Sequence, residues 1–243
     1  MPNNEIVNLL WSGGWDSTFR LCDLLLVQDR RVRLYYVVDP GRQSVAQEIK
    51  AMQRIRKRLQ ERIASFDTRL LSMQVVWLWE IAPESSMTSR YESLRKRFKS
   101  FGPQYEWLGR FVAEQGIGDL ELSIESNSFR PNGPLWSALE DMLVEEERNF
   151  RLCDNPSDPD FEFFRSFRFP LIKTTKLAMM HYAKEHGFDD IMFQSWFCHT
   201  PHNGRPCGIC HPCHFVITEG MSRRMPLSGK IRYILHRIGF KLR

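Results

Sequence analysis

The stretch Ile6-Val7-Asn8-Leu9-Leu10-Trp11-Ser12-Gly13-Gly14-Trp15-Asp16-Ser17 decides the fold. Residues 6–11 are a short, mostly apolar run of the kind that forms a buried strand. The run delivers the chain to a tight turn, where Gly13 and Gly14 let the backbone approach a ligand closely. A helix beginning near Asp16 then presents N–H groups with no intrahelical acceptor, and its dipole favours an anion. Strand, glycine turn and helix start in succession bind phosphate, and Ser12 and Ser17 add hydroxyl donors. Asp16 is an N-cap candidate, and a carboxylate there can also hold Mg²⁺ against phosphate oxygens. The loop is too short for the pattern GxxxxGK[ST], and no lysine follows its glycines, which disfavours chemistry of the mononucleotide-kinase type. Taken alone, a Gly-Gly between strand and helix is as readily a plain tight turn.

Working outward, short apolar, β-branched or aromatic runs alternate with longer amphipathic ones. The pattern predicts an α/β fold, a parallel sheet with helices on both faces. Strands are predicted at 6–11, 32–39, 73–80, 120–126 and 190–196, and helices at 16–28, 43–63, 105–115, 135–147 and 175–185. Gly187 is placed to cap the last helix. Residues 155–160, with Pro, Ser and Asp, read as an exposed loop. In such sheets ligands bind beyond the carboxyl ends of the strands, and the first strand ends at the glycine loop.

The chain has 243 residues, 42% hydrophobic and 12% aromatic. That is enough for one well-filled domain with at most a small appendage. No early segment looks like a cleaved leader, and no apolar run approaches the roughly 20 residues that a bilayer requires, so a soluble, cytoplasmic protein without membrane contacts is expected. The formal charge is +5, and basic residues gather at 50–62, at 90–99 and after Glu219. They read as solvated helix faces or as a surface for an anionic partner. No nucleic-acid-binding module is recognisable, so nucleic acid is not required by this reading.

Four of the six cysteines, Cys198, Cys207, Cys210 and Cys213, lie in one passage with spacing C-x8-C-x2-C-x2-C. In a cytosolic setting this points to metal rather than to disulfides. Four thiolates fill the tetrahedral shell of zinc and leave no open position, so the site is expected to be structural. A mixed shell drawing on His199, His202, His211 or His214 is the nearest rival, and an iron–sulfur cluster ranks below it. Cys22 and Cys153 are isolated and suit the role of small buried hydrophobes.

The string SGGxDS after an apolar strand resembles the signature of the PP-loop ATP pyrophosphatases. Together with the cysteine spacing it resembles, more narrowly, the 7-cyano-7-deazaguanine synthase (QueC) family. The stretch PLIKTTKLAMMHYAKEHGF, residues 170–188, is similar to that family's PLxxxSKxEIxxLAxxxG, with Lys176 on its lysine. Trp196 and Cys198 match a W-S-C run, and Gly204 to Gly208 a GRxCGxC passage. The likeness is strong over the first 40 residues and from about 170 to 213.

The resemblance implies a PP-loop domain over 1–195 and a zinc-binding segment with a basic C-terminal helix over 196–243, packed on the same domain. It implies ATP, Mg²⁺ and structural Zn²⁺, with Leu10, Trp11, Ser12, Gly13, Gly14, Trp15, Asp16, Ser17, Thr18, Val38 and Lys176 around the nucleotide. Asp16, Ser17 and Lys176 would carry catalysis. The implied reaction adenylates 7-carboxy-7-deazaguanine, lets ammonia displace AMP, and adenylates again to reach a nitrile. A homodimer is implied too.

The middle of the chain departs from the family. Its PxRN passage corresponds to Gly102-Pro103-Gln104-Tyr105, without Arg-Asn. Its YPDCRPEF passage corresponds to residues 129–134, without the acid that would read a guanine-like edge. Asn127, Asn132 or Glu125 are substitute acceptors and Arg130 a carboxylate partner, or all four are turn and surface residues. Asp39 either binds metal or substrate or caps a turn before Pro40. These departures resemble those of QueC-like proteins in bacterial anti-phage defence operons; the likeness implies that the acceptor need not be ammonia, the activated acid acylating an amine on a partner protein or an amide or nitrile product feeding a nucleic-acid modification. A nucleotide-binding scaffold that has lost catalysis is the competing expectation. In the tail, Ile231, Ile234, Leu235 and Ile238 share one helical face, expected to pack on the core or else to meet a partner.

Overall fold

The computed structural model describes residues 5–99, 101–126 and 133–239. Its seven strands are β1 (Ile6–Leu10), β2 (Arg31–Val38), β3 (Gln74–Trp77), β4 (Leu120–Glu121), β5 (Leu143–Glu146), β6 (Asn149–Leu152) and β7 (Phe167–Arg168). They form one sheet in the order β3-β2-β1-β4-β7-β6-β5. The first five run parallel, and β6 and β5 add an antiparallel hairpin at the far edge. The α-helices are α1 (Trp15–Cys22), α2 (Val45–Arg62), α3 (Phe66–Arg69), α4 (Ser85–Arg97), α5 (Gln104–Gln115), α6 (Pro134–Glu140), α7 (Lys176–Glu185), α8 (Asp189–Met192), α9 (His211–Thr218) and α10 (Leu227–Arg237). The fold is thus α/β with a mostly parallel sheet, as the alternation of runs predicts.

Strand β2 shows why both faces are covered. Leu34, Tyr36 and Val38 enter a core with Met52, Ile55 and Leu59 of α2, while Tyr35 and Val37 enter a second core with Leu108 and Phe111 of α5. Successive side chains of a strand point to opposite faces, so a strand apolar at nearly every position needs a layer on each side. The second core is rich in phenylalanine: Phe161, Phe163, Phe164, Phe167 and Phe169 are all buried. The central strand β1 pairs with β2 and β4, Leu9 lying opposite Leu34 and Glu121. Its position holds the glycine loop, which begins at Ser12, at the middle of the sheet's carboxyl edge.

Several predicted elements differ. The segment expected as one helix over 135–147 is α6 followed by the β5–β6 hairpin. Glu147 and Arg148 adopt left-handed backbone angles (φ 47° and 67°) and turn the chain. The charged run has helical propensity, but Phe150 and Leu152 alternate into the core from β6, and burial outweighs propensity. Residues 190–196, expected as a strand, form α8 and an irregular exit, with Ile191 and Met192 fully buried. The strand expected over 120–126 has only two residues in the sheet. The loop expected at 155–160 gives way at Pro159 to a 3₁₀ turn, Pro159–Phe164. Helix α4 is absent from the predicted elements; the Glu84 carboxylate accepts from the N–H groups of Ser86 and Met87 and caps its start. Gly187 does cap α7: it has φ 70°, and the N–H of Phe188 donates to the carbonyl of Ala183 at 2.9 Å.

The tail also differs. Ile231, Ile234 and Ile238 of the apolar stripe are exposed, as is Leu227. Helix α10 docks instead through Gly229, where a Cβ would meet the Met225 sulfur at 2.5 Å and the Pro206 carbonyl at 3.0 Å. On the partner side, a Cβ on Gly208 would lie 2.1 Å from the Gly229 carbonyl. Two glycines bring the backbones closer than any side chain would allow, and the helix is thereby oriented with its isoleucines outward. Among the described residues no helix is long and apolar enough to cross a membrane.

Candidate functional site

The loop that connects β1 to α1 is shaped from both sides. Gly13 has φ 69°, and a Cβ there would lie 2.9 Å from Cγ of Met52 and 3.2 Å from the Glu48 carbonyl, both on α2. Only glycine permits this turn against the helix. Gly14 precedes α1 in extended conformation, with no side-chain cap on the helix. Its carbonyl accepts from Thr18 N–H at 3.1 Å, which leaves the N–H groups of Trp15, Asp16 and Ser17 in the first turn without helical acceptors. In that turn the Asp16 Oδ1, Ser17 Oγ and Trp15 Nε1 atoms are buried and have no hydrogen-bond partner among the described residues. Buried polar groups are nearly always paired, so these orphaned atoms fit a bound polar ligand. Burial raises the Asp16 pKa above the ordinary carboxylate value, and the cations of Lys176 and Arg224 oppose that shift.

Two clefts open from the loop, each of about 200 Å³. Ser12, Gly14 and Asp16 line both. One is charged: Arg42, Glu48, Lys176, His199, Glu219 and Arg224 surround it, with Trp15, Trp196 and Phe197 as its aromatic wall. The other is largely apolar, between Leu10, Tyr105, Leu108, Leu122 and Ile124, with Ser17, Gln104 and Ser123 as polar points. The loop therefore separates a compartment suited to an anion from one suited to a flat, mainly apolar group.

Lys176 is the first residue of α7, which Thr175 caps by accepting from the N–H of Ala178 at 3.2 Å. Its ammonium donates to the Glu125 carboxylate and lies 3.2 Å from Oε2 of Glu219. Burial disfavours the charge on Lys176, but the carboxylates of Asp16, Glu125 and Glu219 outweigh it and hold the pKa above the ordinary lysine value. The Glu125 pKa is raised as well. Burial and the nearby Asp16 charge push it up to about 7, against the pull of Lys176. Arg42 pairs with Glu48 at 3.0 Å. The guanidinium of Arg224 lies over the rings of Trp15 (4.6 Å) and Phe197 (4.9 Å) and donates to the Ser195 carbonyl and Oγ at 3.1 and 2.8 Å. Burial brings its pKa down to about 10.

The cysteines are brought together as the spacing predicts. The sulfurs of Cys198, Cys207, Cys210 and Cys213 all lie within 4.8 Å of one another, and no histidine joins the group among the described residues. The Cys207–Cys213, Cys198–Cys210 and Cys210–Cys213 separations are 3.8, 3.8 and 3.5 Å. Four sulfurs about 2.3 Å from one tetrahedral ion stand about 3.8 Å apart, so the residues fit a single ion. The N–H groups of Gly208, Ile209 and Cys210 point at Cys213 and Cys207 sulfurs at 3.3–3.4 Å, as in a knuckle that stabilises thiolates. Gly208 makes the turn with φ 82°. Cys22 is fully buried, which raises its thiol pKa and keeps it inert.

Of the residues named for the nucleotide, Leu10, Ser12, Gly14, Trp15, Asp16, Ser17 and Lys176 line the clefts. Trp11 and Thr18 turn into the core and bond to each other, Nε1 to Oγ1 at 3.2 Å. Val38 is buried at the end of β2, outside both clefts. Asp39 accepts from the Gly41 N–H at 2.9 Å and caps its turn. Asn127, Arg130 and Asn132 lie outside the described residues. Sequence reading misses Arg42, His199, Glu219 and Arg224. Arg42 stands just before α2, Glu219 and Arg224 follow the cysteines, and His199 stands beside Cys198, where the sequence suggests a metal ligand; single charges in such places are common on solvated surfaces.

No protein-family profile matches the sequence, and no curated protein matches it. Among solved structures, the U34-tRNA thiolase NcsA from Methanococcus maripaludis, with its [4Fe-4S] cluster, is similar over 99% of this chain and 74% of that one. The identity is 12% and the TM-score 0.46. A likeness at that level says nothing about activity, ligand or metal.

Proposed function

We propose that this chain is an ATP-using enzyme of the PP-loop pyrophosphatase type, which adenylates a carboxylate and releases pyrophosphate. The observation that carries the reading is the first turn of α1, where Asp16 Oδ1 and Ser17 Oγ are buried without partners among the described residues, shortly after the positive-φ Gly13. The free N–H groups of that turn hold the phosphates, and Ser12 and Ser17 add hydroxyl donors. Lys176 contributes a positive charge once phosphate competes with Glu125 and Glu219 for it. Asp16 is the residue to hold Mg²⁺, which when bound neutralises charge that develops on the departing pyrophosphate.

The carboxylate substrate belongs in the apolar cleft, where Tyr105, Leu108, Leu122 and Ile124 suit a flat heterocycle. The sequence resemblance favours a 7-deazaguanine acid such as 7-carboxy-7-deazaguanine. A carboxylate is a poor electrophile, and adenylation supplies AMP as a leaving group for ammonia or for an amine on a partner protein. The product is accordingly an amide, a nitrile after a second adenylation, or a protein conjugate, with anti-phage defence as the setting the sequence departures favour. A homodimer is part of this reading. The cysteine group holds zinc in a structural role, which the sulfur spacing supports. The competing reading, a nucleotide-binding scaffold without catalysis, draws on the engagement of Lys176 by two carboxylates.

The test is incubation of purified protein with ATP, Mg²⁺ and 7-carboxy-7-deazaguanine, with and without ammonia or a protein amine. AMP and pyrophosphate that depend on the acid support the reading. Adenine-nucleotide binding without AMP under any acceptor condition favours the scaffold, and no binding at all removes both.

A further inference from the structure

Arg224 lies beyond the cysteine cluster, in the turn Ser222–Arg224 that precedes α10. It nevertheless shares a cleft with Ser12, Gly14, Asp16 and Lys176. Two features set it apart from the other cations there. Arg42 is paired with Glu48, and Lys176 with Glu125 and Glu219. Among the described residues, no carboxylate lies within 4.0 Å of the Arg224 guanidinium. Asp16 attracts it from beyond that distance, but no carboxylate touches it, and an anion bound in the cleft would offset the cost of a half-buried guanidinium without a direct partner. The second feature is how firmly the group is held. Trp15 and Phe197 contribute ring faces to it, and the Ser195 carbonyl and hydroxyl accept from one of its terminal nitrogens. A guanidinium fixed in this way has its remaining donors oriented before a ligand arrives, which limits the ordering cost of binding.

The frame that holds Arg224 is also the frame of the loop. Trp15, under the guanidinium, is the first residue of α1, whose N–H groups face an incoming phosphate. Ser195 is followed by Trp196, whose N–H donates to the carbonyl of Gly13 at 2.8 Å. The arginine and the loop therefore cannot move independently.

We propose that Arg224 is a phosphate-binding residue that holds the pyrophosphate portion of a nucleoside triphosphate bound at loop 12–17. The proposal rests on the reading of that loop as a nucleotide site and assigns to it a residue from outside the loop and its helix. Arg224 faces the loop from the charged cleft and is assigned to the β- and γ-phosphates, which AMP lacks, so AMP binding does not depend on it.

The experiment is titration calorimetry on the full chain with Mg²⁺, using α,β-methylene-ATP, inorganic pyrophosphate and AMP as probes. Arg224→Ala is expected to weaken the ATP analogue and pyrophosphate about tenfold or more, and AMP less than twofold. Arg224→Met keeps an aliphatic stem between the rings, carries the comparison should the alanine variant fail to fold, and is expected to show the same selective loss. Arg224→Lys retains charge without the forked donors and should fall between. The proposal is overturned if folded variants bind pyrophosphate and the analogue as wild type does, or if they lose AMP to the same degree, which would mark a purely structural role. Wild-type protein that binds none of the probes removes the loop reading itself, whereas normal wild-type binding with unaffected variants removes only the role of Arg224.

Discussion

The backbone N–H of Trp196 donates to the carbonyl of Gly13 at 2.8 Å, and so joins the segment that carries the cysteines to the centre of the glycine loop. The same segment supplies Arg224 and Glu219 to the charged cleft. The sulfur cluster thus fixes a wall of the site although none of its four cysteines lines either cleft.

Loss of the metal should therefore be felt at the loop. With a full thiolate shell, metal binding is coupled to folding of residues 198–213. Cys210→Ala is expected to lower metal content and solubility and to reduce the melting temperature, and chelation of the wild type should weaken nucleotide binding in parallel. Elemental analysis with thermal melts checks this, and a stable, metal-loaded variant would show that another residue completes the shell.

Asp16 is expected to separate activity from stability. Asp16→Ala should reduce AMP formation by about two orders of magnitude or more, the scale of a lost charge-stabilising contact. Asp16→Asn should melt no lower than wild type at neutral pH. The folded-state pKa of Asp16 is raised, so its contribution to stability is fully present below the unfolded value of about 4 and is lost as pH rises through the folded value. The amide removes that loss. A variant with unchanged turnover would overturn the role assigned to the loop.

Gly13→Ala tests the turn itself. The added Cβ would meet Met52 at 2.9 Å and the Glu48 carbonyl at 3.2 Å while the backbone stays at φ 69°. A destabilisation of about 1–3 kcal/mol is expected, read by denaturant unfolding, with nucleotide affinity reduced as α2 is pushed away. Unchanged stability would mean that the loop does not pack on α2 as described.

Nucleotide affinity should depend on pH through Glu125. Asp16, Lys176 and Glu219 face this carboxyl, and its pKa is pushed up to about 7. Below that value it is protonated, one negative charge beside Lys176 is lost, and Lys176 is freer to meet phosphate. Binding of α,β-methylene-ATP should tighten as pH falls from 8 to 6, and Glu125→Gln should flatten the profile at the tighter level. The stability linkage has the same sign: the contribution of Glu125 is complete below about 4.5 and is lost as pH rises through about 7. A profile unaltered by the substitution would assign the pH dependence to another group.

Local patterns are legible where one run of residues contains its own physics. Residues 6–17 encode a strand, a turn and a helix start in immediate succession, and the free N–H groups at the helix start come from that order alone. The cysteine spacing is equally local, because a knuckle of C-x2-C fixes its sulfurs through its own backbone. Residues 149–152 are not legible, since their strand exists by pairing with β5 and β7 and by burying Phe150 and Leu152. Nor is the outward face of α10, which depends on the contact of Gly208 with Gly229 across 21 positions.

By itself the sequence determined the strand, glycine turn and helix start at 6–17 and the grouping of four cysteines, because each arises from residues close along the chain, and its alternation of runs set the α/β class. Only the tertiary structure decided which charges meet at the loop. Glu125, Lys176, Glu219 and Arg224 come from four separate elements, and the sequence pattern marks Lys176 as a phosphate contact without showing the carboxylates that engage it. Electrostatic energy depends on distance in space and on burial, neither of which spacing in sequence encodes.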